Sequence, residues 1–276
     1  MIPAGRAFYK MSGSGNDFVM VDARTEPPGR LAEPEVVQRI CARGTGVGAD
    51  GIVFLEPSDR AAIRLVYLNA DGSRADLCGN ATLCTTRLAT ELGVAPPEGL
   101  DIETDSGVIA ARIKDGRPEI DLQPVRDIRP SYEALERKPG ERRIGFALVG
   151  VPHVVVFVED LETVDVVGRG RVIRRDASLS HGANANFVGR DRYGRWRMRT
   201  YERGVEAETL ACGSGAVATA IMLTVWGEAD GVVTLETRSG RELAVTLRRA
   251  DQREQCWYPS LRGEGAVVFE GQLAEV

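Results

Sequence analysis

An α/β chain built as two similar domains is what the sequence predicts, and three observations carry the prediction. The first is a duplicated turn: Leu77-Cys78-Gly79-Asn80-Ala81 in the first half answers Ala211-Cys212-Gly213-Ser214-Gly215-Ala216 in the second. The second is register, because Asp50 precedes Cys78 by the same number of residues as Asn184 precedes Cys212. The third is composition: 276 residues with 43% hydrophobic and 27% charged content suit a globular chain of one large domain or two ordinary ones. Two copies make no solenoid, so the duplication implies two similar domains facing each other.

Within each half the pattern runs strand, helix, several strands, a buried helix, then more strands. Residues 16–21 read as an apolar strand-like run entered from a polar corner, and Pro34 opens a helix that ends before the glycine-rich residues 44–51. Strands follow at 49–54 and 64–69. After Cys78, the residues Ala81, Cys84, Leu88 and Leu92 recur at helical spacing until Gly93 stops them, and 100–104 alternates as a strand. The polar, proline-containing residues 123–143 read as the linker. In the second half, strands are expected at 152–157, 183–188 and 197–202. A nearly all-apolar helix then runs from Cys212 to Gly227, and a strand covers 232–237. The expected domains are 1–125, carrying Cys78, with the C-terminal strand 265–276 a candidate to complete it, and 126–264, carrying Cys212.

Charge and cysteine usage exclude several function classes. A net charge of −5 with no basic stripe argues against nucleic acid. The longest apolar stretch, 146–158, is broken by Gly150, Pro152 and His153, and no basic-then-apolar leader is present. No membrane span or signal peptide is therefore expected, and the expected location is cytoplasmic. Five cysteines, an odd number without a CxxC pair, read as reduced thiols, and zinc-type ligand spacing is absent. No metal is expected, and nothing suggests a flavin, nicotinamide or pyridoxal cofactor.

Chemistry concentrates at the two duplicated turns. A cysteine at a helix N-terminus meets free N–H groups and the positive dipole end, which favour thiolate, and the same amides can hold a carboxylate. Cys84 shares an apolar face and reads as core, while Cys41 and Cys256 lack a glycine turn. Gly13-Ser14-Gly15 precedes a strand where a dinucleotide fingerprint needs a helix, so it reads as a turn. Residues 44–48 lack the Lys-Ser/Thr pair of a phosphate loop and also read as a turn. His153 carries two readings of equal weight, a thiol's partner or a hydrogen-bonded residue at a strand edge. Tyr201-Glu202-Arg203-Gly204 is either a solvated turn or a planar guanidinium clamp for a carboxylate.

Taken together and in order, Lys10-Met11-Ser12-Gly13-Ser14-Gly15-Asn16-Asp17-Phe18, Asn69-Ala70-Asp71-Gly72-Ser73, Cys78-Gly79-Asn80, Tyr201-Glu202-Arg203-Gly204 and Ala211-Cys212-Gly213-Ser214-Gly215 resemble the diaminopimelate epimerase family over nearly the whole chain. The resemblance implies two pseudo-symmetric domains, each a strongly curved, mostly antiparallel sheet round a central helix, with the site in the cleft between them. It implies a reaction without cofactor, interconversion of LL- and meso-diaminopimelate, with Cys78 and Cys212 as the two proton carriers. The α-carboxylate would lie on amides near Gly79, Asn80, Gly213 and Ser214. Asn16, Asn69, Asn184 and Arg203 would bind the distal end, Glu202 an ammonium, and His153 would line the site. Val151 stands where the family usually has Asn, Gly51 where some members have Gln, and Ala81-Thr82-Leu83 where Gly-Ala-Arg is usual. The expected partner is a small amino-acid substrate, with a homodimer left open. Three other classes stay open: a racemase of the same fold acting on another amino acid, a hydrolase using Cys212 with His153, and a non-catalytic amino-acid-binding protein.

Overall fold

The computed structural model describes residues 5–249 and 256–274. Residues 1–4, 250–255 and 275–276, which fall within the expected domains, lie outside the described part. The chain divides into two compact units, one of Met1–Ile120 with Arg262–Val276 and one of Asp121–Leu261.

The first unit begins with an antiparallel hairpin of β1 (Ala7–Gly13) and β2 (Asn16–Asp22). Its two-residue turn puts Ser14 and Gly15 at φ 54° and 116°, the left-handed backbone that lets so short a link match the twist of the strands. The helix α1 (Pro34–Cys41) starts on its proline and buries Val36, Val37, Ile40 and Cys41, then returns the chain to β3 (Gly51–Glu56), parallel to β2. β4 (Ile63–Asn69) runs antiparallel to β3, and β5 (Arg74–Ala75) pairs with β4. α2 (Gly79–Glu91) then crosses to β6 (Leu100–Thr104), parallel to β4, followed by the antiparallel β7 (Gly107–Lys114) and β8 (Arg117–Asp121).

The second unit repeats these connections. β9 (Ile128–Arg129) pairs with β10 (Glu141–Val149), which forms a hairpin with β11 (Val151–Val158) through Gly150 at φ 68°. α3 (Val166–Arg174) leads to β12 (Asn184–Arg190), parallel to β11, and β13 (Trp196–Glu202) turns back beside it with β14 (Ala207–Thr209). α4 (Gly213–Val225) crosses to β15 (Val232–Glu236), parallel to β13, and β16 (Glu242–Arg249) follows antiparallel. β17 (Trp257–Arg262) precedes β18 (Ala266–Gln272), which joins the first unit on β1 in the place that β9 takes on β10.

One helix in each unit is enclosed by strands. α2 packs on β1, β4, β6, β7 and β18, and α4 on β10, β11, β12 and β16. That enclosure explains why both are buried almost all round, without the single apolar stripe of a surface helix. α4 meets the demand with small and apolar residues. α2 instead buries threonines: the hydroxyls of Thr82 and Thr86 bond one turn back, to the Cys78 and Thr82 carbonyls, as does that of the half-buried Thr90 to the Thr86 carbonyl, at 2.8–2.9 Å, while the buried Thr85 hydroxyl has no partner among the described residues. Each such bond is worth about 1 kcal/mol net, and its main effect is to avoid an orphaned buried hydroxyl.

The expected linker proves to be structure. Within residues 123–143, Val125 bridges to Trp257, β9 pairs with β10, and Tyr132 and Leu135 enter the second unit's core, Tyr132 stacking on Phe146 at 5.6 Å. The apolar residues are scattered singly among polar ones and prolines, so no period of 2 or 3.6 betrays them.

Candidate active site

Cys78 is the N-cap residue of α2, with φ −129° and ψ 114°, and Cys212 is the N-cap residue of α4, with φ −139° and ψ 110°. Neither side chain caps its helix. The cap carbonyls receive the Thr82 and Ala216 amides at 2.9 Å, so the amides before them, those of Gly79, Asn80, Gly213 and Ser214, belong to first turns that have no intrahelical acceptor. Cys78 is half-buried and Cys212 is buried, its Sγ 3.6 Å from Ser214 Oγ.

In the first unit the side chains around α2's first turn form a directed chain. The Asn80 amide donates to Asn16 Oδ1 at 2.6 Å, and the Asn16 amide donates to Asp50 Oδ2 at 2.9 Å. Arg43 donates to Asp50 Oδ1 at 2.8 Å and to Asp17 Oδ1 at 2.6 Å, and Lys10 pairs with Asp17 while donating to the Gly48 carbonyl. Burial pushes the Asp17 carboxyl up, but the hydrogen bonds from Arg43 and Lys10 outweigh it and hold it below the usual carboxylate range. Asn69 stands across from Gly51, beside Asp50, with its own amide on Ser73. In the glycine-rich loop, the Gly46, Gly48 and Ala49 amides are spent on the Ala42, Ile40 and Cys41 carbonyls at 2.9–3.1 Å, which makes the loop a turn and not an anion cradle.

In the second unit His153 and Asn184 are register partners on β11 and β12. Asn184 Oδ1 accepts the Arg203 backbone N–H at 2.7 Å, which fixes the turn after Glu202. The Arg203 side chain donates to the His181 carbonyl at 3.3 Å, and no carboxylate pairs with it among the described residues. Asn186, fully buried, donates to the Val154 carbonyl at 3.1 Å and accepts from Thr200 at 3.0 Å, so its amide cannot turn over. Its contact with His153 Nδ1 at 3.2 Å therefore has Asn186 donating, and the imidazole proton sits on Nε2, which has no partner among the described residues. Burial, together with the charge of Arg203, pushes the His153 pKa down to about 3. Such an imidazole is neutral and presents no base to Cys212, because Nδ1 is taken and Nε2 carries a proton.

The sequence-predicted residues thus gather by unit. Cys78, Gly79, Asn80 and Asn16 stand at the head of α2, and Asn69 lies across from Gly51 at the end of β4. Asn184, Glu202 and Arg203 form the turn after β13, and Gly213 and Ser214 follow Cys212. Sequence reasoning missed two residues. Asp50 served only as a spacing marker, although a polar residue at matching places in both halves was a signal. Asn186 lay hidden in a strand that reads as core. Its cost is visible at Gly215, where an added Cβ would come within 2.3 Å of Asn186 Oδ1 and 3.2 Å of Cys212 Sγ. Gly215→Ala is expected to lower stability by about 1–3 kcal/mol, read as a shift of the urea midpoint, and to lower kcat with it. An unshifted midpoint would refute the crowding. Among the described residues no group of three or more His, Cys, Asp or Glu could hold a metal ion.

Comparison with known proteins follows from these features. A family model described as diaminopimelate epimerase matches residues 8–125 and 145–256. Diaminopimelate epimerase of Gemmatimonas aurantiaca is 49% identical over 97% of this chain and 99% of its own, and that of Aquifex aeolicus is 38% identical over 97% and 98%. Among solved structures, a phenazine biosynthesis protein of the PhzF family from Bacillus anthracis has a TM-score of 0.74 at 16% identity over 98% of this chain and 99% of that one. A hydroxyproline epimerase from Agrobacterium vitis has a TM-score of 0.68 at 18% identity, over 99% and 94%. At such identities these two structures speak for the fold alone, the two-domain α/β architecture described above.

Proposed function

The chain belongs to the diaminopimelate epimerase family, and on that premise we propose that it is an isomerase interconverting LL- and meso-2,6-diaminopimelate without a cofactor, in lysine and peptidoglycan-precursor synthesis. The observation that carries the reading is the pair of cysteines at equivalent N-cap positions of two equivalent buried helices. Inverting a carbon centre without a cofactor needs a base that removes the α-proton from one face and an acid that returns one to the other. Cys78 and Cys212 are that pair, one as thiolate and one as thiol, with the roles exchanged by direction. A thiol of ordinary pKa near 8.5 is a weak base for an α-proton, so charge developing on the substrate must also be stabilised. The first-turn amides of Gly79, Asn80, Gly213 and Ser214 supply donors for the α-carboxylate.

Arg203, with no carboxylate partner among the described residues, takes the distal carboxylate. Asn16, Asn69 and Asn184 serve the same end, and Glu202 accepts an ammonium. Substituting Arg203→Lys keeps the charge and loses the fork. It is expected to raise KM for diaminopimelate about tenfold with little change in kcat, and steady-state kinetics showing an unchanged KM would remove Arg203 from this role. The neutral, engaged His153 disfavours a Cys212–His153 hydrolase. The proposed pathway belongs to the cytoplasm, and a homodimer is the proposed assembly, checked by mass in solution.

Incubating the reduced protein with LL-diaminopimelate in deuterium oxide tests the reading. Deuterium at the α-carbon together with the meso isomer supports it. Exchange with other amino acids but not this one would favour the same-fold racemase.

A further inference from the structure

We propose that Asp50, clamped by Arg43, is a positioning residue that fixes the polarity of the Asn16–Asn80 amide pair, so that Asn16 offers an N–H and not a carbonyl to a carboxylate of the substrate. This deepens the proposed function and rests on it for the identity of the substrate group.

An ionised carboxylate can only accept hydrogen bonds. Asp50 Oδ2 therefore requires the Asn16 amide nitrogen, 2.9 Å away, and forbids the flipped side chain, which would set oxygen against oxygen. With its nitrogen fixed on Asp50, Asn16 turns its Oδ1 to Asn80, whose nitrogen must donate, at 2.6 Å. At the far end of the chain Asn80 is 2% exposed, and its Oδ1 has no partner among the described residues. Reversing the pair would only exchange that oxygen for an equally unpartnered NH2 group, so nothing at the Asn80 end opposes the direction that the Asp50 carboxylate imposes. Arg43 makes it firm by donating to both Asp50 and Asp17, while the backbone N–H of Asp17 also donates to Asp50 Oδ2 at 3.2 Å. Asn16 itself is half-buried, and its second N–H has no partner among the described residues. An N–H so directed suits a carboxylate oxygen and rejects an ammonium, whereas a flipped Asn16 would do the reverse.

Asp50→Asn is nearly isosteric but can donate as well as accept, so it releases the polarity without emptying the space. The variant is expected to raise KM for LL-diaminopimelate about tenfold while kcat changes less than about twofold. The double variant Asn16→Ala with Asp50→Asn should show the same KM as Asn16→Ala alone, because Asp50 acts only through Asn16. An unchanged KM, a matching fall in kcat, or additive effects in the double variant would overturn the proposal. A second measurement needs no substrate. In isotope-labelled protein, the side-chain amide signals of Asn16 should be single and protected in the wild type and broadened or shifted in Asp50→Asn. Identical signals in both would overturn the proposal even if the wild type turned over no diaminopimelate, an outcome that by itself would sink only the proposed function.

Discussion

Replacing either Cys78 or Cys212 by serine is expected to cut epimerisation about 10²–10⁴-fold in both directions, the range that one positioned proton carrier contributes. The oxygen is smaller than sulfur and its hydroxyl far less acidic, so at neutral pH the serine neither deprotonates to serve as base nor yields a proton readily as acid. Each direction of the reaction uses both groups, once as base and once as acid, so by microscopic reversibility neither variant can spare one direction. Folding should survive in both cases, because each cysteine caps its helix with its backbone and not its side chain. The measurement is the rate of LL to meso and of meso to LL for each variant, beside its circular dichroism. A folded Cys78→Ser protein with full activity would end the two-base reading and return Cys212 to the role of a lone nucleophile.

How far the sequence carried this picture depends on the range of the interactions concerned. The duplicated helices were legible because Gly93 and Gly227, at φ 67° and 74°, end them at matching places and because local periodicity marks what lies between. The turn reading of Gly13-Ser14-Gly15 was legible from glycine content and the strand that follows. The Asp50 clamp was not, because Arg43 and the Asp17 amide reach it from a loop and a neighbouring strand, and single charges in a sequence do not announce their partners. Asn186 was hidden for a related reason. Its neighbours on β12 are all buried, so the run reads as continuous core, and the residues that satisfy its amide, Val154, His153 and Thr200, come from flanking strands. The linker reading failed where Tyr132 and Leu135 are held by tertiary packing alone.

Acidifying the protein from pH 7.5 to pH 5 is expected to remove about 2 kcal/mol of folding stability through His153 alone. The sign follows from the proton count. In the folded chain, burial and then the nearby Arg203 charge push the His153 pKa down to about 3, whereas in the unfolded chain it returns to the ordinary value of 6.5. Between those values the unfolded state binds a proton that the folded state refuses, so stability falls as pH drops below about 6.5, by up to about 1.4 kcal/mol per unit. Above that window the group contributes no slope. Most carboxylates titrate below pH 5, and the other histidine, His181, is exposed, which makes the interval from 7.5 to 5 diagnostic. Glutamine at this position keeps an oxygen able to accept from Asn186 but takes up no proton. Across that interval the urea midpoint of the wild type should therefore fall relative to that of His153→Gln as pH drops, whatever their difference at pH 7.5. Parallel curves would mean that the imidazole is protonated in the folded state, which would free it to act beside Cys212 and reopen the hydrolase reading.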